Sequence, residues 1–205
     1  MRKNILFENF KQKYLHEKLN WFHEPTKWLL EADKLQIFSD ASTDFWQKTH
    51  YGFQVDNGHF LFARVKGDFV METQVLCNFQ HQYDQAGLMV RVSEQCWMKT
   101  SVEFELDEPN RLGAVVTNYG YSDWSTQNVA NDFTKYSLRV SRKGSDYKIE
   151  YQNNVVNEWI QLRLFHLQDQ PIIDVGIYAC SPKKEGFLAS FDYLKISCDE
   201  VLFLE

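Results

Sequence analysis

One stretch constrains this chain more than any other. Met98, Thr100, Val102, Phe104 and Leu106 alternate with Lys99, Ser101, Glu103 and Glu105. A period of two puts successive side chains on opposite faces of a strand, so this run predicts a strand with one apolar and one polar face. The pattern recurs. Leu88, Val90 and Val92 alternate with Met89 and Arg91, and Leu138 and Val140 with Arg139 and Ser141. Tyr147, Ile149 and Tyr151 alternate with Lys148 and Glu150, and Ile160, Leu162 and Leu164 with Gln161 and Arg163. Further strands are expected at 28–31, 35–38, 59–65, 69–77, 112–118, 172–180 and 187–197. Turn chemistry separates them: Asp56-Asn57-Gly58, Lys66-Gly67-Asp68, Glu108-Pro109-Asn110, Lys143-Gly144-Ser145 and Ser181-Pro182. About a dozen strands at this spacing predict an all-β protein of two antiparallel sheets packed face to face. Leu6, Phe10 and Tyr14 recur every four residues, which predicts a short amphipathic helix within the first twenty residues. Residues 119–134 show no clear period and are expected to form a long loop.

A chain of 205 residues is the size of one domain. The expected layout is a single β-sandwich over 1–205, with 1–20 as an N-terminal extension. The chain has 22 basic and 28 acidic residues, a formal charge of −6. That balance argues against nucleic acid as a partner. No apolar run reaches the ~18 residues of a membrane span, and the apolar run near the N-terminus stops at Phe7, short of a secretory h-region. A cytoplasmic location follows as the expectation, with buried free thiols at Cys77, Cys96, Cys180 and Cys198. The cysteines form no C-x-x-C pair and the six histidines are scattered, so no metal site and no cofactor are expected. A G-x-S-x-G elbow, a phosphate loop and H-E-x-x-H are all absent from the sequence.

Chemistry concentrates in four polar-aromatic stretches: Thr43 to Gly52, Gln80 to Gly87, Trp97 to Glu103 and Tyr121 to Ser125. A pyranose offers an apolar C–H face and a rim of hydroxyls. Flat rings suit the face; carboxylates, amides and cations suit the rim. The candidate binding residues are Asp44, Trp46, His50, Tyr83, Asp84, Gln85, Arg91, Lys99, Glu103, Asp123 and Trp124. The plain alternative is that these aromatics fill the core and the charges pair on sheet faces; Arg91, Arg139 and Arg163 are read in that way as structural ion-pair partners. Glu103, Glu105 and Asp107 supply acids at alternating positions, about 7 Å apart per step if the strand continues. If the protein is an enzyme, Glu103 is the expected acid or base, Asp84 or Glu105 its partner, and Lys99 the group that tunes its ionisation.

These stretches also carry a resemblance. The runs Thr43-Asp44-Phe45-Trp46, Thr49-His50-Tyr51-Gly52-Phe53, Asp56-Asn57-Gly58-His59-Phe60, Gly67-Asp68-Phe69, Tyr83-Asp84-Gln85-Ala86-Gly87-Leu88-Met89-Val90-Arg91, Trp97-Met98-Lys99-Thr100, Ser122-Asp123-Trp124-Ser125 and Cys180-Ser181-Pro182 resemble the DUF1349 family of regulation-of-enolase-like proteins. The resemblance covers about residues 20–197. It implies a concanavalin A-like lectin/glucanase jelly roll and brings no established activity with it. Three positions depart from the family pattern: Ser93 stands where an acid is frequent, Ser101 for a glycine, and Asn153-Asn154 for an Asp-Gly turn. The E-x-D-x-x-E text of related glucanases is absent. The leading expectation is therefore a carbohydrate-binding, lectin-like domain that takes an oligosaccharide or other small polar ligand, as a monomer or homodimer. A glycoside hydrolase or lyase using Glu103 comes second, and a non-enzymatic partner of another protein third.

Overall fold

A computed structural model describes residues 2–152 and 158–199. It contains seventeen strands among the described residues and forms an all-β jelly-roll sandwich. The first sheet runs in the order β15 (Ile160–His166), β14 (Asp146–Gln152), β13 (Lys135–Lys143), β8 (Phe69–Asn78), β17 (Leu188–Asp199), β4 (Lys34–Phe38) and β3 (Lys27–Glu31), with β1 (Arg2–Glu8) pairing β17. The second runs β12 (Tyr121–Val129), β11 (Asn110–Asn118), β10 (Cys96–Glu103), β9 (Gln85–Ser93), β16 (Ile172–Cys180), β7 (His59–Lys66) and β2 (Asn20–Phe22). A separate hairpin joins β5 (Phe45–Gln47) to β6 (Gln54–Asp56). Both large sheets are antiparallel throughout.

The inner faces meet in one apolar core. Met98 and Val102 of β10, Leu88 and Val90 of β9 and Val175 and Ile177 of β16 face Leu35, Ile37, Met71, Leu138, Val140 and Ile196 of the other sheet. The outer face of the first sheet carries charge: Arg139 pairs with Glu150 at 2.8 Å, and Lys148 meets the same carboxylate at 3.0 Å. The second sheet differs, because its outer face is also apolar. Met89, Trp97, Val115, Tyr178, Cys180 and Phe60 form a second cluster there. Phe45 and Trp46 of the β5–β6 hairpin cover it, and Phe45 lies 6.0 Å from Trp97 and 6.3 Å from Tyr178, ring to ring. This part of the molecule thus has three layers.

Three expectations are corrected. The helix in the first twenty residues is replaced by β1. Leu6 and Glu8 are buried, whereas Phe7 is 51% exposed and Tyr14 71% exposed, so a two-residue period governs here. Pairing with β17 (Leu6 opposite Ile196, Glu8 opposite Leu194) satisfies the backbone and buries Leu6, which outweighs a weak local helical spacing. The loop at 119–134 contains β12. As an edge strand it pairs only with β11, and most of its side chains are exposed, so no apolar alternation marks it. The strand expected to run through Leu106 ends at Glu103. Beyond it, Phe104 stacks on Phe79 at 5.5 Å and Leu106 is 61% exposed. The Asn153-Asn154 turn lies outside the described residues.

Candidate functional site

On the outer face of the second sheet, next to the hairpin, lies a cavity of about 550 Å³. Its floor is built by strand register. Lys99 and Glu103 are four residues apart on β10 and share its outer face with Trp97 and Ser101. Lys99 stands opposite Met89 and Val115; Glu103 stands opposite Gln85 and Arg111. One wall is aromatic: Trp46, with Tyr51 and Phe53 from the β5–β6 turn. Tyr51 packs 5.3 Å from Trp46 and 6.0 Å from Phe53. Trp124, opposite Val115 on β12, meets Trp46 edge-on at 6.5 Å. Across the opening stand Gln82 and Tyr83, and an acidic rim of Glu105, Asp107 and Glu108 closes the site.

The hairpin that carries the aromatic wall is pinned at several points. Asp44 accepts the backbone N–H of Phe45 at 2.7 Å, and its own N–H donates to Asn57 Oδ1 at 3.0 Å. Its carboxylate also meets Lys99 Nζ at 2.6 Å. Trp46 Nε1 donates to the carbonyl of Thr49 at 3.0 Å, and Gln47 N donates to Ser122 Oγ at 2.9 Å, tying the hairpin to β12. Lys48 and His50 adopt φ of 56° and 60° and Gly52 φ of 72°, which folds the turn back so that Tyr51 and Phe53 share one side. Tyr83 has φ of 74°; a tyrosine held in the left-handed region is strained, and such strain concentrates at ligand-facing positions.

The floor is electrostatically unusual. Burial raises the Glu103 carboxyl; Lys99 and Arg111 pull it down, Asp44 and Glu105 push it up, and the result is a pKa of about 8. Glu103 is therefore mostly a neutral acid at pH 7. Its Oε2 accepts a 2.8 Å hydrogen bond from Gln85 Nε2. The orientation of that amide is set, because Gln85 Oε1 accepts from the Tyr178 hydroxyl at 3.1 Å. Burial works against the Lys99 ammonium, while the adjacent Asp44 carboxylate, with Cys180 and Glu103, favours it, and the net direction is above its ordinary value. At the rim Arg111 lies 3.0 Å from Glu105 and 2.5 Å from Glu108. Gln82 Nε2 donates to the other oxygen of Glu105 at 3.0 Å.

Of the residues singled out from sequence, Asp44, Trp46, Tyr83, Lys99, Glu103 and Trp124 line this one cavity, as does Glu105. Gln85 lies behind it and holds Glu103. Four lie elsewhere. Asp84 is buried in a turn, where it accepts the N–H groups of Gln80 and His81 at 2.8 and 2.7 Å and the hydroxyl of Ser181; it is an anchor for the loop that presents Tyr83. Arg91 pairs with Asp56 at 2.6 Å and covers the Phe22 ring at 4.3 Å. Asp123 points to the opposite side of β12 from Trp124 and pairs with Arg163 at 2.6 Å. His50 is exposed on the turn against Tyr51, 4.8 Å ring to ring. Glu105 is not on the β10 strand; it reaches the site because Asn110 Oδ1 accepts its N–H at 3.2 Å and Arg111 holds its side chain.

Sequence reasoning missed Phe53, Arg111, Val115 and Glu108, and it passed over Tyr51 and Gln82 within stretches it had marked. Arg111 was detectable only through register, since it is the residue that hairpin pairing sets opposite Glu103. Ser101, where the family pattern has glycine, is 7% exposed and hydrogen-bonds the Tyr178 hydroxyl at 2.8 Å. Ser93 accepts the N–H of Gln95 at 3.2 Å at the end of β9. Cys77, Cys96, Cys180 and Cys198 are all free thiols, the first three buried. Among the described residues, no three His, Cys, Asp or Glu side chains gather to hold a metal ion, and no helix is long and apolar enough to cross a membrane.

Comparison with known proteins places this geometry. The chain is 33% identical over 171 residues to Regulation of enolase protein 1 of Saccharomyces cerevisiae, spanning 83% of this chain and 85% of that one. A solved structure of a functionally unknown protein from the same yeast superposes with a TM-score of 0.83 at 31% identity, over 89% of this chain and 97% of the other. A xylan beta-1,4-xylosidase from Bacillus halodurans contains a similar sandwich, with a TM-score of 0.76 at 14% identity; it matches 97% of this chain but only 40% of the xylosidase, and the likeness is one of fold. A family model described as protein of unknown function DUF1349 matches residues 21–198. The chain belongs to the DUF1349 family.

Proposed function

We propose that the cavity beside the β5–β6 hairpin is a carbohydrate-binding site and that the protein acts as a lectin-like domain toward an oligosaccharide, in the cytoplasm. One observation carries this reading: an aromatic wall of Trp46, Tyr51, Phe53 and Trp124 faces a floor of Lys99 and Glu103 across a single cavity of about 550 Å³. The volume falls in the ~300–1,000 Å³ range of small-ligand sites. The wall suits the C–H face of a pyranose. The floor supplies a cation, a protonated acid that can donate a hydrogen bond, and acceptor carboxylates for the hydroxyls. Trp46 is already buried within the protein and only Tyr51 and Phe53 present large exposed faces, so the apolar area to be gained is modest and the expected affinity lies between roughly millimolar and micromolar.

A second reading is favoured by Glu103 itself. A carboxyl with a pKa of about 8 is protonated at neutral pH, the state a general acid needs to protonate a glycosidic oxygen. A glycoside hydrolase or lyase would use Glu103 as the acid. Glu105 is then the expected second carboxyl, because Asp84 is committed to its turn. Thermal shift and tryptophan fluorescence with a broad oligosaccharide panel test both readings, alongside product analysis by chromatography. A ligand that binds wild type and Glu103→Gln without being consumed supports the binding domain. A ligand consumed by wild type alone supports the enzyme. No response to any sugar overturns both and shifts attention to a protein partner.

A further inference from the structure

The charges around the cavity are unevenly matched. Its lining holds four carboxylates, Asp44, Glu105, Asp107 and Glu108, and the neutral acid Glu103, against two cations, Lys99 and Arg111. Both cations are committed within the protein. Lys99 is 2.6 Å from Asp44. Arg111 is shared between Glu105 at 3.0 Å and Glu108 at 2.5 Å. No lining cation is left to receive an anionic ligand, and Lys183, near the rim, is held over the Tyr83 ring at 5.2 Å. The wall opposite the acids is aromatic, and the faces of Trp and Tyr rings attract a cation as well as they do a sugar C–H face. Acids and rings therefore favour the same ligand charge, in a pocket whose low-dielectric walls strengthen the field.

Resting on the carbohydrate reading, we infer that the cavity selects oligosaccharides bearing free amino groups: the ammonium enters between the acidic rim of Glu105, Asp107 and Glu108 and the aromatic wall, while the ring packs on the exposed faces of Tyr51 and Phe53. Neutral sugars fit the same walls without the charge interaction. Uronic acids bring a carboxylate toward an excess of carboxylates and are rejected. Asp107 carries most of the selectivity, because Asp44, Glu105 and Glu108 are each already opposite a cation and Glu103 is a neutral acid.

Titration calorimetry with four trisaccharide-sized probes decides the matter: an oligomer of glucosamine, its fully N-acetylated counterpart, a neutral glucose oligomer and a uronic acid oligomer. The glucosamine oligomer is expected to bind at least about tenfold more tightly than the neutral and N-acetylated probes, a difference of ~1.4 kcal/mol. The uronic acid oligomer is expected to give no heat. Raising the salt concentration should erode the preference, because exposed charges at the rim are screened. Asp107→Asn, at an exposed position where folding is not at stake, should cut the preference roughly two- to fivefold. Neutral or N-acetylated probes binding as tightly as the amine overturn the selectivity and leave the carbohydrate reading standing. Uronic acid binding most tightly does the same. Absence of binding by all four removes the carbohydrate reading and this inference together.

Discussion

Lys99 and Asp44 meet at 2.6 Å, joining the middle of β10 to the residue just before β5. The pair binds the hairpin to the sheet, and both side chains border the cavity. Lys99 is only 4% exposed and Asp44 19%. Removing one partner leaves the other charge poorly solvated and without its counter-charge. Asp44→Asn and Lys99→Met are each expected to cost about 3 kcal/mol, the lower end of the range for breaking a buried pair. The double variant should lose clearly less than the two single losses added together. Urea denaturation of the four proteins checks this; simple additivity would show that the pair does not hold the hairpin.

Glu103 makes stability depend on pH. Its carboxyl rises from 4.5 to about 8 on folding, chiefly through burial. The groups acting on it are Lys99 on its own strand, Arg111 from β11, Gln85 from β9, Tyr178 and Cys180 from β16, and Asp44, Tyr83 and Glu105 from the flanking loops. Between those two pH values the folded state binds more protons than the unfolded state, so this group's contribution to stability falls as pH rises through that window. Below 4.5 both states are protonated, and above about 8 both are ionised and the loss is complete. Glu103→Gln should flatten this part of the profile and stabilise the protein at pH 8 by on the order of 2–4 kcal/mol. Chemical denaturation from pH 4 to 9 reads the slope directly. An unchanged slope in the variant would mean that Glu103 ionises normally.

Tyr51 separates binding from folding. It is 54% exposed, yet it forms the outer part of the aromatic wall. Tyr51→Ala should change stability by no more than about 0.5 kcal/mol, as for an ordinary surface substitution. Sugar affinity should fall about tenfold, the scale of one lost aromatic contact. Fluorescence titration together with a thermal melt shows whether the two properties divide in this way.

Asp84 should behave in the opposite manner. It accepts two backbone N–H groups and the Ser181 hydroxyl, and it lines no part of the cavity. Asp84→Ala is expected to lower stability by about 1–3 kcal/mol, because buried donors lose their acceptor. If the variant is studied well below its melting temperature, ligand capacity at saturation should be retained. Loss of all catalytic turnover in a well-folded Asp84→Asn protein would instead return this residue to the chemistry.

The fold was largely readable from sequence because most core strands alternate strictly and turn residues punctuate them. The failures have a common cause. β1 and β12 are edge or peripheral strands whose pairing depends on distant residues, and neither shows a clean apolar face. The site was half readable. Polar-aromatic density pointed to Trp46, Tyr83, Lys99 and Glu103, all of which line the cavity. The same density also pointed to Asp123 and His50, because proximity in sequence says nothing about which face of a strand or turn a side chain takes. Asp123 and Trp124 are neighbours in the chain yet lie on opposite sides of β12. Arg111 carried no local signal; its importance comes from lying opposite Glu103.

The hairpin has a consequence for how such a site changes over generations. It rests on the sheet through a few anchors, among them Asp44, Gln47 and the Phe45 ring, and its six-residue tip pairs with neither large sheet. Residues 48–53 can therefore lengthen, shorten or exchange their rings while the sandwich beneath keeps its registry. Ligand preference can diverge among descendants of one ancestor without any of them relearning how to fold.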